Sequence, residues 1–360
     1  MCSEISSLLQ TVTRLSQEFG TSEYVQGGGG NTSVKNADTL WVKPSGTTLM
    51  GLQPESFVAM NRAKLVRLYE VEIPTEPSAR EALVKEVMAE AVDPGSSGRA
   101  SVEAPLHDSL AARYVVHTHP VLVNGMTCGV AGKEACARLF PEALWLDYID
   151  PGFTLCMDVR QRIKDFATER GREPEVIFLK NHGLFVAGED LETVRAIYAS
   201  ILDRLKAIYL EAGVSMELAV ADPPAEGRVQ SVAKKIRQVM GDRQAAGIRA
   251  SGMFPYPRGP ITPDHIVYAK SYALIAEPTP DTIGGYQSQH GYLPQLIVCD
   301  DMVLGVGLSD MKAGLALELA LDGALVQQLA AAFGGINYMT DRARKFIENW
   351  EVESYRSQQL

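Results

Sequence analysis

Three histidines have the type and the spacing of a metal site. His117 and His119 lie two residues apart in Tyr-Val-Val-His-Thr-His-Pro, and His182 follows in Lys-Asn-His-Gly-Leu-Phe. The apolar lead-in predicts a buried strand, in which side chains alternate faces, so His117 and His119 project to the same side. The second segment predicts another core strand that breaks at Gly183 and delivers His182 to the same place. Three neutral imidazoles suit a borderline divalent ion such as Zn²⁺ and leave a position open for water or substrate.

A structural role for these histidines is the alternative. A single histidine is most often a hydrogen-bonded core or surface residue, and a His-x-His pair alone is a weak signal. The chain has only six histidines, however, and three of them end apolar strand-like runs. Because loops after strands carry function in α/β proteins, this placement favours the metal site.

Composition limits the class of protein. The 360 residues predict one large and one smaller domain, or two comparable ones. With 46% hydrophobic and 22% charged residues, the chain is typical of a globular enzyme. A formal charge of −10 argues against binding to nucleic acid or to an anionic membrane. Any anionic substrate must therefore be held by local features.

The termini and cysteines predict a cytoplasmic protein. The N-terminus has no basic stretch followed by an apolar core, so no signal peptide is expected. The apolar stretch 313–333 is interrupted by polar residues and predicts a packed helix rather than a membrane span. The five cysteines form no Cys-x-x-Cys pair, which suits a reducing compartment and argues against a structural zinc site.

The elements that must position the histidines alternate along the first 215 residues. Helical spacing occurs in six ranges, namely 3–19, 79–92, 104–112, 133–139, 157–169 and 190–212. Strand-like runs occur at 39–42, 56–59, 114–118, 144–148 and 176–186. This alternation predicts one α/β unit.

A proline-containing stretch, 220–227, is the candidate linker between a domain of residues 1–220 and a C-terminal α/β extension of residues 228–360. The extension has three helical ranges and three strand-like runs, namely helices at 228–240, 311–332 and 340–349 and strands at 272–276, 295–299 and 303–306. Asp300-Asp301 predicts a tight hairpin, Thr262-Pro263 a helix start, and 251–260 a loop. His290 is expected at the surface in a polar loop, and no convincing internal repeat is found.

Five motifs in order resemble the class II aldolase/adducin family. They are Gly-Gly-Asn-Thr-Ser, Lys-Pro-Ser-Gly, Ser-Val-Glu-Ala-Pro-Leu-His, His-Thr-His-Pro and Asn-His-Gly-Leu-Phe, all within residues 1 to about 212. The resemblance implies a three-layer α/β/α domain followed by a smaller C-terminal α/β domain. The motifs are most similar to those of the long subgroup related to rhamnulose-1-phosphate aldolase, whose members are often fused to a short-chain dehydrogenase.

The resemblance assigns roles to particular residues. His117, His119 and His182 would be the metal ligands and Glu103 the catalytic carboxylate. The chemistry agrees, because a carboxylate beside a metal-bound ketose can exchange a proton while the cation stabilises the enediolate. The residues that match the family's substrate and phosphate loops are Gly30, Asn31, Thr32, Lys43, Ser45, Gly46 and Ser101. The alternatives are a helix-start charge at Glu103, ordinary turns in the loops, and a solvated lysine at position 43.

Some further features are implied by the family. Tyr148 matches a tyrosine that reaches across a subunit interface as acid to the leaving aldehyde oxygen, and the family's tetramers imply a homo-oligomer here. His107 and Asn181 would orient ligands. The family often has two hydroxyl residues before the glutamate, whereas this chain has Ser101-Val102, which puts phosphorylation of the substrate in question.

The sequence therefore predicts a cytoplasmic, metal-dependent aldolase acting on a small ketose phosphate or sugar acid, with Zn²⁺, Mn²⁺ or Co²⁺. An epimerase or a decarboxylase would use the same site, and an adducin-like binding scaffold without catalysis is the alternative of another class. No complete GxGxxG follows a strand, so no NAD site is expected. Residues 225–360 could instead bind a separate dehydrogenase chain.

Overall fold

The computed structural model describes residues 2–72, 74 and 76–350. They form two compact units. The first comprises the described residues up to Val123 together with Lys133–Leu205, and the second comprises Asn124–Gly132 and the described residues from Lys206 onward. The boundaries of these two units differ from the expected domains, 1–220 and 228–360. The expected domains remain a prediction. The closing segment beyond residue 350 lies outside the described residues.

A mixed sheet is the centre of the first unit. Its strands are β1 (Asn31–Lys35), β2 (Thr39–Val42), β3 (Val58–Asn61), β4 (Tyr114–Thr118), β5 (Leu144–Leu146), β6 (Val176–Leu179) and β7 (Gly183–Gly188). Among the described residues they are ordered β3-β2-β1-β4-β7-β6-β5. Every neighbouring pair is antiparallel except β5 and β6, which are parallel.

Helices cover both faces of this sheet. The helices that begin before residue 206 are α1 (Cys2–Glu18), α2 (Arg62–Val66), α3 (Pro77–Ala91), α4 (Ala104–Ser109), α5 (Val121–Thr127), α6 (Gly132–Leu139), α7 (Phe153–Arg170) and α8 (Leu191–Glu211), of which α5 and α8 end among residues of the second unit. Helices α4 and α7 pack on the face of Val115, Ile177 and Phe185. On the other face, Ser16 of α1 bonds Thr32, and Tyr198 of α8 bonds Thr118. The unit is therefore the expected three-layer α/β/α arrangement.

One expectation about the strands was wrong. Strand β4 has the expected bounds, Tyr114–Thr118. Residues 176–186, however, do not form one interrupted strand, because β6 and β7 are an antiparallel hairpin in which Leu179 pairs with Gly183. The turn between them consists of residues 180–182, and Asn181 has a left-handed backbone with φ of 54°. Asparagine tolerates this conformation better than most residues.

The second unit contains a four-stranded sheet. Its strands are β8 (Gly247–Gly252), β9 (Leu274–Ile275), β10 (Leu296–Cys299) and β11 (Met302–Gly307), in the order β8-β11-β10-β9 among the described residues. Its helices are α9 (Glu226–Met240), α10 (Pro263–Ala269), α11 (Pro280–His290), α12 (Asp310–Ala330) and α13 (Asp341–Asn349). The hairpin at Asp300-Asp301 is confirmed, since Cys299 pairs with Met302.

Two elements here were missed. The strand β8 was not expected, and it ends at Gly252, where only a loop was expected. The polar, glycine-containing stretch that ends at His290 is the helix α11 rather than a loop, and Thr279 caps its first turn. His290 is half-buried and packs against the rings of Tyr272 and Tyr286.

Helix α12 is the long apolar helix of the second unit. With the short turn after it, Asp310–Phe333 is long and apolar enough to cross a membrane by length and composition, and half of it is buried. The helix lies directly on the sheet, because a Cβ atom on Gly305 would be 2.1 Å from the Ala313 carbonyl oxygen. Glycine is required at this close approach. The helix therefore packs in the core of a folded unit.

The second sheet repeats half of the first. The order β8-β11-β10-β9 has the same strand directions as β4-β7-β6-β5. The registers also agree. The row of His117, Phe185, Ile177 and Leu144 corresponds to the row of Ala250, Leu304, Ile297 and Leu274. An internal repeat is therefore present in strand order and register, although none was found in the sequence.

Candidate metal centre

The end of β4 brings two imidazoles together. His117 and His119 lie on the face of the sheet that α4 and α7 cover, and their Nε2 atoms are 3.0 Å apart. His117 is fully buried, whereas His119 is half-buried. The backbone N–H of His119 donates to the Tyr24 carbonyl at 2.8 Å, which holds the residue in place after the strand ends.

The β6–β7 turn supplies the third imidazole. The backbone N–H of His182 donates to the Leu179 carbonyl at 3.2 Å. One nitrogen from each of His117, His119 and His182 lies within 4.8 Å of the other two. Zinc–nitrogen bonds of about 2.0–2.1 Å imply ligand separations somewhat below this limit, so the three rings fit one divalent cation after a small adjustment.

Gly183 allows this approach. A Cβ atom at Gly183 would be 2.3 Å from the Thr118 carbonyl oxygen and 2.7 Å from Cδ2 of the His119 ring. Both distances are far below van der Waals contact, so any side chain would push the turn away from β4. The glycine after His182 therefore sets the distance between the two segments that carry the histidines.

The ring of His117 is fixed in orientation and tautomer. Its Nδ1 atom lies 2.8 Å from the Leu184 carbonyl oxygen, and its ring stacks on Phe185 with centroids 4.0 Å apart. Because a carbonyl oxygen can only accept, Nδ1 carries the proton and Nε2 carries the lone pair. A backbone carbonyl behind a metal-binding histidine commonly has this effect.

Glu103 lies beside the histidines. It precedes α4, is buried, and places Oε1 3.6 Å from Nε2 of His117. Its Oε2 accepts a short hydrogen bond from Nδ2 of Asn31. The side chain makes no capping bond to the helix. The structure therefore favours a carboxylate directed at the metal centre over a helix-start charge.

Polar side chains that follow Asn31 along β1 contact His107 of α4. Ser33 Oγ is 2.8 Å from Nδ1 of His107, and Lys35 Nζ donates to the His107 carbonyl. Burial lowers the pKa of His107 well below its usual value, with His117 and Lys35 adding to the shift. His107 is therefore a neutral ring, fully buried, that packs on the edge of Phe185.

Backbone hydrogen bonds join the segments that contain Thr32, Lys43 and Ser101. The N–H of Lys43 donates to the Thr32 carbonyl at 3.1 Å, and the N–H of Ser101 donates to the Lys43 carbonyl at 3.2 Å. Lys43 is not a solvated residue, because it is 2% exposed, and its Nζ lies 3.4 Å from the Gly28 carbonyl oxygen. Gly30 and Gly46 both have positive φ, 70° and 79°, so these turns need glycine.

The side chains of the predicted substrate residues do not all lie near Glu103. Asn31 and Ser101 are buried close to Glu103, and the Ser101 hydroxyl accepts from the Glu103 N–H at 3.2 Å. Ser45 joins the same segment through its N–H, which donates to the Arg99 carbonyl at 2.8 Å. Thr32 points to the opposite face, where its hydroxyl is 2.6 Å from that of Ser16. The Thr32 side chain is therefore not brought to the metal centre.

Tyr148 lies two residues beyond the end of β5 and is half-buried. Since β5 and β6 are parallel, Tyr148 and the turn with His182 follow strands that end at the same edge of the sheet. Asn181, in that turn, is buried.

Lys35 was not singled out from the sequence. A signal was available, because Lys35 alternates with Asn31 and Ser33 along β1 and must share their face.

Chemically, three nitrogen donors with a carboxylate beside them can hold a divalent cation and move a proton next to it. A bound cation with an open position stabilises negative charge on a substrate oxygen. Glycine-containing turns such as those at Gly30 and Gly46 are a type of backbone that can bind an anion.

Comparison with known proteins gives one family match. The model of the class II aldolase and adducin N-terminal domain matches residues 10–210. A Bacillus subtilis (strain 168) protein, the uncharacterized oxidoreductase YuxG, is 27% identical over 176 residues, which cover 46% of this chain and 24% of YuxG. The chain thus spans about a quarter of that relative.

Solved structures with similar folds include a class II aldolase domain from Thermoplasma acidophilum, with 25% identity and a TM-score of 0.47 over 55% of this chain and 92% of the other. YgbL from Escherichia coli, described as an aldolase/epimerase/decarboxylase, has 19% identity and a TM-score of 0.41 over 57% and 90%. L-fuculose-1-phosphate aldolase from Thermus thermophilus has 17% identity and a TM-score of 0.39 over 59% and 100%.

Proposed function

The chain belongs to the class II aldolase and adducin family, and on this premise we propose that it is a divalent-metal-dependent aldolase that cleaves a small ketose phosphate or a related sugar acid. One observation carries the proposal. Three imidazole nitrogens lie within 4.8 Å of one another, and a buried carboxylate lies 3.6 Å from one of them. A binding scaffold without catalysis would have no use for this combination.

The histidines and Glu103 would have separate roles in the reaction. His117, His119 and His182 would hold the cation, most simply Zn²⁺, with Mn²⁺ or Co²⁺ as alternatives. When bound, the cation would stabilise the negative charge that develops on the substrate as the carbon–carbon bond breaks. Glu103 would move the proton to and from the carbon next to the carbonyl.

Neighbouring side chains support Glu103 in this role. The hydrogen bond from Asn31 holds one carboxylate oxygen, which leaves the oxygen nearer His117 for the substrate proton. The turns at Gly30 and Gly46 would bind the anionic end of the substrate through the backbone, and the hydroxyls of Ser45 and Ser101 would donate to it. Lys43 beneath them would supply the positive charge.

Tyr148 would protonate the aldehyde oxygen of the leaving fragment, in a homo-oligomer where it acts on the site of a neighbouring subunit. Replacing Tyr148 with Phe should lower kcat while leaving bound metal and folding unchanged, since one hydroxyl is removed. Measurement of kcat for mixed oligomers of Tyr148→Phe and Glu103→Gln chains would test whether Tyr148 of one subunit acts with Glu103 of another. Recovery of activity in the mixture is expected if the two residues act in one site across subunits, and no recovery would contradict it.

The decisive experiment removes the proton-transfer group and keeps its shape. Glu103→Gln should lower cleavage of ketose 1-phosphates by roughly 10²–10⁴-fold, because general acid–base catalysis contributes about that much. The metal content, measured by elemental analysis of the purified protein, should stay stoichiometric because the three histidines remain. Glu175→Gln is the matched control, since Glu175 is exposed on the same unit.

The products separate the possible reactions. Cleavage gives two carbonyl fragments, whereas a 4-epimerase gives an isomeric sugar phosphate and a decarboxylase releases carbon dioxide. The assay is run with phosphorylated and unphosphorylated ketoses and with Zn²⁺, Mn²⁺ and Co²⁺ in turn. Turnover by Glu103→Gln at the wild-type rate would refute the assigned role, and purified protein without any stoichiometric divalent ion would favour the scaffold.

A further inference from the structure

Strand β1 and helix α4 are joined by three polar contacts, and the function proposed above uses only the first of them. Nδ2 of Asn31 donates to Oε2 of Glu103. Two residues further along β1, Oγ of Ser33 lies 2.8 Å from Nδ1 of His107. After two more residues, Nζ of Lys35 donates to the carbonyl oxygen of His107. All three side chains share one face of β1, because successive residues of a strand point to opposite faces.

The spacing of contacts along the strand matches the spacing along the helix. Two residues of a strand advance by about 6.6 Å, and four residues of an α-helix advance by about 6 Å. Ser33 is two residues after Asn31, and His107 is four residues after Glu103. The Ser33–His107 bond therefore holds α4 at the place along β1 where Asn31 can reach Glu103.

Glu103 depends on this placement because α4 itself does not fix its side chain. The residue immediately precedes α4, and its side chain makes no capping bond to the helix. Its carbonyl oxygen accepts from the N–H of His107 at 3.1 Å. A displacement of His107 along β1 therefore moves Glu103 with it. Such a movement would change the distance of 3.6 Å between Oε1 of Glu103 and Nε2 of His117.

The Ser33–His107 bond is enclosed by protein. Both residues are 0% exposed, so bulk water does not compete for the bond. Among the described residues, Nε2 of His107 has no hydrogen-bond partner, which leaves the bond to Ser33 to fix the ring. The ring also lies edge-on to Phe185, with centroids 5.4 Å apart, and Phe185 stacks on His117.

The end of α4 has contacts that do not depend on the imidazole of His107. The carbonyl group that accepts from Lys35 lies in the last turn of α4, where carbonyl groups have no partner within the helix. Arg62 adds a second contact there, with Nε 2.5 Å from Oδ1 of Asp108. A variant that loses the imidazole should therefore keep α4 against the sheet.

We infer that Ser33 and His107 are positioning residues for the proton transfer, because their hydrogen bond sets the place at which Glu103 meets Asn31 and faces His117. Both act through Glu103, so the inference rests on the function proposed above. It differs from the role that the family implies for His107, which is to orient a metal ligand. The difference follows from the partner of the ring, which is a residue of β1 next to Asn31 on the same face.

Two substitutions at His107 separate the effect of the bond from the effect of the ring. His107→Phe keeps an aromatic ring against Phe185 but has no polar atom, whereas His107→Asn keeps an amide that can still bond Ser33. His107→Phe should lower kcat about 10- to 100-fold, since a shift of a reacting group by about 1 Å can cost about 10²-fold. KM and metal content should stay at the wild-type values. His107→Asn should recover most of the lost kcat.

Thr262 and His265 give the matched control in the second unit. Their side chains form the same kind of buried bond, between Oγ1 and Nδ1 at 2.7 Å. Ser33→Ala should lower kcat as much as His107→Phe, whereas Thr262→Val should leave kcat unchanged. The double variant Ser33→Ala/His107→Phe should be no slower than either single variant, because both changes remove the same interaction. Circular dichroism checks that each variant is folded.

A measurement without turnover separates this inference from the proposed function. Crystal structures of the wild type and of His107→Phe, both without added metal, should show Oε1 of Glu103 displaced by about 1 Å relative to Nε2 of His117 in the variant. If the displacement is found but the wild type cleaves no ketose, the proposed function fails and the positioning role stands. The inference is overturned if Glu103 keeps its place in His107→Phe, if His107→Phe and Thr262→Val have the same kcat, or if His107→Asn is as slow as His107→Phe.

Discussion

Lys35 is a buried ammonium group that the fold tolerates at a cost in stability. It is 3% exposed, on the same face of β1 as Asn31. Desolvation lowers its pKa from the usual 10.5 to about 7, although Asp108 opposes the shift. Between about pH 7 and 10.5 the unfolded chain therefore holds a proton that the folded chain has released. The unfolding free energy therefore rises with pH across this window. Below the window it is lowered by the full cost of burying the charged ammonium group.

Lys35→Met should remove this pH dependence. In the wild type, Lys35 releases one proton on folding within this pH window. The unfolding free energy therefore rises by on the order of 1 kcal/mol for each pH unit across the window. Urea denaturation of the variant at a series of pH values from neutral to alkaline should give a correspondingly flatter curve. Lys64→Met, at an exposed position, should follow the wild type. Parallel curves for wild type and Lys35→Met would contradict the assignment.

Individual residues were predictable from the sequence where a short-range rule applied. The two-residue spacing in β4 places His117 and His119 on one face, and the structure agrees. Nothing local indicates that Thr32 faces α1, or that Lys43 is buried with its ammonium group near the Gly28 carbonyl. Those facts depend on which strand lies next to which, and this is decided by residues far apart in the chain.

At the scale of elements, the β6–β7 hairpin determines the shape of the metal centre. Gly183→Ala should separate the turn from β4, because the new methyl group would overlap the Thr118 carbonyl and the His119 ring. We expect a loss of about 1–3 kcal/mol in unfolding free energy and a clear fall in affinity for Zn²⁺. Competition with a chromophoric chelator measures the affinity.

A glycine in open surroundings gives the comparison for that variant. Gly314 lies within α12, and a Cβ atom there would meet nothing within 4 Å. Gly314→Ala should therefore stabilise the chain by up to about 1 kcal/mol and leave metal affinity unchanged. If Gly183→Ala bound Zn²⁺ as tightly as Gly314→Ala, the steric explanation would fail.

Long, periodic elements were predicted better than short ones. The helices α7, α8 and α12 and the strand β4 lie where the sequence indicates. The strand β8 was missed because Gly-Ile-Arg-Ala-Ser-Gly has little intrinsic preference for a strand and pairs only because β11 lies beside it. Helix α11 was missed because Gly284 and Gly285 lie inside it, where glycine is unfavourable.

At the scale of the whole molecule, bound metal should stabilise one sheet and not the other. A ligand at a hundred times its Kd adds about 2.7 kcal/mol to the unfolding free energy. With Zn²⁺, amide hydrogen exchange should slow in β4 and in the turn with His182. Exchange in β8 and in the Asp300-Asp301 turn should not change, and equal protection of both sheets would contradict the single site.

The repeat between the two sheets could not be found from residue identities. What recurs is strand order, direction and register, whereas paired positions differ in type, such as His117 and Ala250. Apolar residues of many kinds satisfy the same buried position. The alternation of helical and strand-like patterns predicted an α/β chain correctly, but the relation between its two sheets is visible only when the strands are placed side by side.

Gly252 stands in the second sheet where His119 stands in the first, two residues after the position paired with the matching row. A Cβ atom there would be 2.2 Å from the Ala221 carbonyl oxygen, so main chain now fills the space that the ring of an imidazole would need. A histidine placed at residue 252 would therefore not build a second copy of the His117–His119 pair, because the main chain at Ala221 would have to move first.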